Sequence, residues 1–120
     1  MIAVTVLTST SQAELTDLGI SKSLPAQVDH LADMAQSCGL DGVVCSAKEA
    51  GIIKSTLGEN FITVTPGIRP EGSDHGDQHR VMSPAQAIDA GSDYLVIGRP
   101  ITQSVDPVGV MTDILDSLQQ

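Results

Sequence analysis

Aromatic side chains are nearly absent from this 120-residue chain: one Tyr, one Phe and no Trp make up 2% of it. Their absence removes the stacking platforms on which single-stranded nucleic acids are held. Positive charge is scarce as well. Six Lys and Arg stand against fifteen Asp and Glu, a formal net charge of −9, which argues against an electrostatic footprint for a phosphate backbone. Nucleic acid is therefore not an expected partner. No apolar run approaches the ~20 residues that cross a bilayer, and no leader precedes the first run, so no membrane partner is expected either. Cys38 and Cys45 lie seven positions apart, outside CxxC or metal-ligand spacing. The expectation is two small core residues in a reduced, cytoplasmic protein.

What the chain does have is aliphatic: 41% of it is hydrophobic, so a core must come from Val, Ile, Leu, Ala and Met. The length suits one domain. Four runs, Ile2–Leu7, Gly42–Cys45, Phe61–Val64 and Tyr94–Ile97, are continuous rather than alternating, as strands buried on both faces of a parallel sheet are. Helical patterns lie between them. Pro25–Ser37 stops at Gly39, and Ser46–Leu57 opens with a Ser46/Glu49 capping box and stops at Gly58. Ser83–Ala90 and Asp106–Leu118 each place Pro just after a capping residue. Strand and helix alternate four times, a (β/α)4 pattern. "CGLDGVVCS" and "AGSDYLVIG", 52 positions apart, echo each other faintly, as repeated units do. Helices on one side of a four-stranded sheet leave its other face bare. Periodicity alone leaves open a small doubly wound sheet or part of a (β/α)8 barrel.

Chemistry in βα folds gathers at the carboxyl ends of strands. After the first run comes "LTSTS", a hydroxyl cluster that includes Thr8 and Ser9. After the second comes "CSA", short and bland. After the third comes Thr65–Arg80, with three Gly and two Pro, and with Arg69, His75, Gln78, His79 and Arg80 as donors. Loops of that length are often binding loops. The fourth run ends in Gly98-Arg99-Pro100. Glycine lets a ligand approach the backbone, and arginine offers a planar fork that matches phosphate. The expectation is an anion site made by local donors in an acidic chain. His75 and His79 are interrupted by Gly76 and lack a third ligand, so no metal is expected. Ser9 lacks the G-x-S-x-G frame of a nucleophile elbow.

"IAVTVLTS" (2–9), "CGLDGVVCSAKEA" (38–50), "VTPGIRPEGSDHGDQHR" (64–80) and "AGSDYLVIGRPITQSVDP" (90–107) together resemble the C-terminal half of the bacterial orotidine 5'-phosphate decarboxylases. The likeness runs through essentially the whole chain, in order. It implies strands five to eight of a TIM (β/α)8 barrel, residues 1–120 being one half-barrel segment without its N-terminal half. It implies a lyase of UMP biosynthesis that converts orotidine 5'-phosphate to UMP, homodimeric when intact and free of metal or organic cofactor. Carried over by motif, the substrate-binding residues are Thr8 and Ser9 near the pyrimidine, Arg69 in GIRP, Gln78 in the loop, and Gly98 with Arg99 at the phosphate. The family's catalytic D-x-K-x-x-D is missing: Lys22, Lys48 and Lys54 are the only lysines and none sits in such a frame. The chain alone is thus expected to be inactive, with no catalytic residue of its own. Its missing half is the expected partner. A non-catalytic phosphate-binding or assembly module, or a related barrel for another sugar phosphate, is the alternative.

Overall fold

The computed structural model describes residues 1–72 and 82–119. Four parallel strands, β1 (Ile2–Val4), β2 (Gly42–Val44), β3 (Ile62–Thr65) and β4 (Tyr94–Leu95), pair in the order β1-β2-β3-β4. Sequence order is spatial order, so the sheet is wound in one direction and lacks the reversal of a doubly wound fold. Each crossover carries a helix, α2 (Leu24–Ser37), α3 (Ala47–Leu57) and the six-residue α4 (Pro84–Asp89), and α6 (Pro107–Leu118) follows β4. Two short helices, α1 (Gln12–Asp17) and α5 (Arg99–Thr102), precede α2 and α6.

Local chemistry explains the helix starts. The hydroxyls of Ser23 and Ser83 accept the N–H groups of Ala26 and Gln86, and the Asp106 carboxylate accepts that of Gly109. Pro25, Pro84 and Pro107 follow, each where a helix has a spare N–H. The Glu49 carboxylate accepts the Ser46 N–H at 2.9 Å. The strands are shorter than the apolar runs: β1 ends at Val4 and β4 at Leu95, the Val96 N–H still donating to the Thr65 carbonyl at 2.9 Å.

One sheet face is covered. Ala3, Val43 and Thr63 share a register row, and Val43 packs with Val28, Ala32, Ala35, Cys45, Ala50, Ile53 and Phe61 in the main core. The other face is open: Ile2, Val4, Tyr94 and Val96 are exposed, Val4 by 60% and Tyr94 by 62%. Val44, Ile62 and Val64 beside them are half-buried. Expecting two core cysteines was half wrong. Cys45 is buried, but Cys38 is exposed, because it caps the carboxyl end of α2 beyond its last packed turn.

Gly42 permits the close approach of β2 to β3. A Cβ there would lie 2.2 Å from the Ile62 carbonyl oxygen and 2.6 Å from its Cβ. Gly42→Ala is therefore expected to lower the urea midpoint by the equivalent of about 1–3 kcal/mol, the usual cost of overpacking a tight site. An unchanged midpoint would show that the two strands can part without penalty.

Candidate functional site

Parallel strands deliver all four carboxyl ends to one side of the sheet, and the residues of interest lie there. Beyond β3 the chain runs through Pro66 and Gly67 to Ile68, which is buried against Ala47 and Ala87. Ile68 also forms an isolated bridge with Met82, and the Arg69 N–H donates to the Met82 carbonyl at 3.0 Å. Anchored on both sides, Arg69 is only 9% exposed. Its Nε is buried and meets no hydrogen-bond partner among the described residues. A buried donor without a partner costs about 1–3 kcal/mol, which an arriving acceptor would recover.

Beyond β4, Gly98 caps α5, its carbonyl accepting the Ile101 and Thr102 N–H groups at 2.9 and 3.0 Å. Arg99 is thus the first residue of a short helix, two residues past the end of the apolar run. The space beside Gly98 is open: an added Cβ would meet nothing within 4 Å. Pro66, Gly67, Ile68, Arg69, Val96, Gly98, Arg99 and Pro100 line a cavity of about 210 Å³. Among the described residues, the two charged side chains in that lining are both arginines. The volume is below the ~300 Å³ of sites that enclose a whole drug-sized ligand. It suits one anionic end of a ligand.

The structure thus brings Arg69, Gly98 and Arg99 together. Thr8 and Ser9 sit in a turn closed by the Thr10 N–H on the Leu7 carbonyl, at the end of β1, Thr8 buried and Ser9 half-buried. They share the rim but not the cavity, two to three strand spacings away, roughly 10–15 Å. The hydroxyl cluster is partly committed to structure, since Ser11 caps α1 and exchanges bonds with Glu14. Gln78, His75, His79 and Arg80 lie outside the described residues. The loop read as bland hides one surprise. Ser46 Oγ, at the end of β2, is buried without a partner among the described residues, a fact no sequence pattern announces.

Lys54 is committed to structure at the other end of the sheet. Lys54, 6% exposed, donates to the carbonyls of Glu59 and Phe61 at 2.8 and 2.9 Å and to the Asp93 carboxylate at 2.5 Å. Phe61 and Asp93 precede β3 and β4, so this cluster lies at the amino ends of the strands, opposite the arginines. Burial pushes the Asp93 carboxyl up, but Lys54 and the Thr63 N–H and hydroxyl outweigh it and hold it below the ordinary carboxylate value.

Residues 1–114 match the model of the orotidine 5'-phosphate decarboxylase / HUMPS family. Orotidine 5'-phosphate decarboxylase of Pseudoalteromonas translucida is 60% identical over 99% of this chain and 51% of its own length. The Escherichia coli enzyme of that name is 57% identical over 100% of this chain and 49% of its own. The crystal structure of orotidine 5'-phosphate decarboxylase from Lactobacillus acidophilus superposes with a TM-score of 0.81 at 36% identity, covering 99% of this chain and 49% of that one. The chain spans about half the length of the relatives it matches. Among the described residues no helix is long and apolar enough to cross a membrane.

Proposed function

The chain belongs to the orotidine 5'-phosphate decarboxylase / HUMPS family, and we propose that it is the half of a (β/α)8 barrel, strands five to eight, that grips orotidine 5'-phosphate. The observation that carries this reading is Arg69: buried, with an Nε that meets no partner among the described residues, in a cavity it shares with Gly98 and Arg99. Such a pair fits a phosphate dianion, and a grip remote from the reacting carbon helps to position the pyrimidine. Thr8 and Ser9, across the rim, then face the base, and the family resemblance adds Gln78 as an amide donor to the substrate.

Decarboxylation breaks the bond from C6 to the carboxyl group and leaves an electron pair on C6, which must take a proton. The donor has to stand within hydrogen-bond reach of that carbon. Lys54 is at the wrong end of the sheet and already gives its protons to Glu59, Phe61 and Asp93. On this reading, which follows from the missing D-x-K-x-x-D frame, the acid and the carboxylates that crowd the substrate belong to the complementary half of the barrel, in the cytoplasm.

The test is reconstitution. The 120-residue chain alone should leave the absorbance of orotidine 5'-phosphate unchanged, and adding the N-terminal half of a relative should start turnover. Turnover by the chain alone would overturn the division of labour. Failure of the reconstituted pair to bind UMP would overturn the phosphate grip.

A further inference from the structure

A second cavity, of about 450 Å³, has no part in the nucleotide reading. It is larger than the arginine cavity of about 210 Å³ and falls within the roughly 300–1,000 Å³ of sites that hold a small organic molecule. Its walls come from the segment after β3, the start of α4, α5 and one face of α6. Helix α6 packs on both α4 and α5, and no strand residue is among the described lining residues. The hollow is therefore built from packed elements of this chain, not from a sheet edge.

The lining has two chemical parts. Pro70, Pro84 and Pro100 form apolar walls whose backbone is fixed by the proline rings. Val110 and Ile114, one turn apart on α6, add an aliphatic floor, and Ile114 is buried. Walls set in advance lower the ordering cost of taking up a ligand. The second part is charge. Glu71, after β3, and Asp113, on α6, bring two carboxylates to the same cavity, and no Lys or Arg is among its described lining residues. Both are exposed, so they stand at the mouth. Among the described residues neither carboxylate has a hydrogen-bond or ion-pair partner. The two cavities thus differ in sign, although Pro100 lines both.

We propose that this cavity is a separate small-molecule site, which takes a primary ammonium carried on a flat apolar body of one or two rings. The ammonium sits at Glu71 and Asp113, and the rings lie against the prolines and Ile114. An anion would meet two carboxylates there, and a neutral molecule would leave them without a counter-charge. The proposal does not rest on the nucleotide reading.

Benzylammonium is the probe, followed by the methyl chemical shifts of the 120-residue chain. Saturable shifts are expected at Val110 and Ile114, while Val43 and Ile53 in the main core stay in place. Glu71→Gln and Asp113→Asn should each weaken binding about two- to fivefold, the range that an exposed ion pair supports. Added salt should weaken binding to the parent as well. Both positions are exposed, so folding should survive either change. Asp116→Asn, also exposed on α6 but outside the lining, should leave binding unchanged. Benzyl alcohol, uncharged and of similar size, should bind more weakly than benzylammonium, and benzoate more weakly still. Absence of saturation overturns the proposal. So does benzyl alcohol or benzoate binding as well as benzylammonium, or an equal loss in Asp116→Asn and Asp113→Asn. No nucleotide enters the measurement, so its failure is separate from a failure of the phosphate grip.

Discussion

Arg69→Ala in the reconstituted barrel is expected to bind UMP one to two decades more weakly than the parent. A hydrogen bond to a charged group is worth about 1.5–3 kcal/mol, and each 1.4 kcal/mol is about tenfold in affinity. Arg99→Ala should lose less, because Arg99 is exposed and water can replace part of its contact, whereas Arg69 is buried. Arg69→Lys should not rescue. An ammonium is a point donor, and the guanidinium presents a planar fork that matches two phosphate oxygens at once. Uridine, which lacks the phosphate, is the internal control: its affinity should be nearly the same in all three variants. Equal losses for uridine and UMP would make Arg69 a structural residue and remove the basis of the functional reading. Gly98→Ala separates space from charge. Nothing lies within 4 Å of its added methyl, so folding should survive while UMP affinity falls.

The four longer helical patterns and the places of the four strands were legible because their determinants are local, whereas periodicity left the strand order open and only the family resemblance implied it. A cap such as Ser83 followed by Pro84 fixes a helix start within a few residues, and the aliphatic runs mark where strands lie. The ends of the strands were not legible. Ile97 looks like more of β4, yet pairing is decided by the neighbouring strand, which the run itself cannot report. Helix α1 escaped notice because only Leu15 of its six residues is buried, and α5 because four residues starting Arg-Pro carry no apolar period. At the site, the donor types at Arg69, Gly98 and Arg99 could be read from sequence, but their meeting could not. It depends on Ile68 reaching Met82 across a long loop. The same holds for Lys54, whose carboxylate partner is 39 residues away.

That distant pair is expected to dominate stability. Lys54 ties the end of α3 to the starts of β3 and β4 through the Glu59 and Phe61 carbonyls and the Asp93 carboxylate. Lys54→Met keeps the apolar stem and removes the donors, leaving a buried carbonyl and a carboxylate without their cation. Losing one partner of a fully buried pair costs about 3–5 kcal/mol. The Asp93 side chain is 36% exposed, so water softens the loss, to about 2–3 kcal/mol on the scale of hydrogen bonds to charged groups. Lys48→Met, at an exposed position one and a half turns earlier on α3, should change little.

The effect should depend on pH with a definite sign. The Asp93 carboxyl is held below its ordinary value in the folded chain. In acid the unfolded chain therefore binds the proton more readily than the folded one, and stability falls with falling pH. The contribution is complete above the ordinary aspartate value of about 4 and is lost as pH drops through the lower folded-state value. Removing Lys54 takes away the ammonium that holds Asp93 down, so less stability remains for acid to remove. Urea midpoints of parent and Lys54→Met should accordingly lie farthest apart at neutral pH and draw closer as the pH falls below the ordinary aspartate value. A gap that stays constant with pH would mean that Lys54 stabilises through its two carbonyl bonds, and that its pairing with Asp93 contributes nothing to folding.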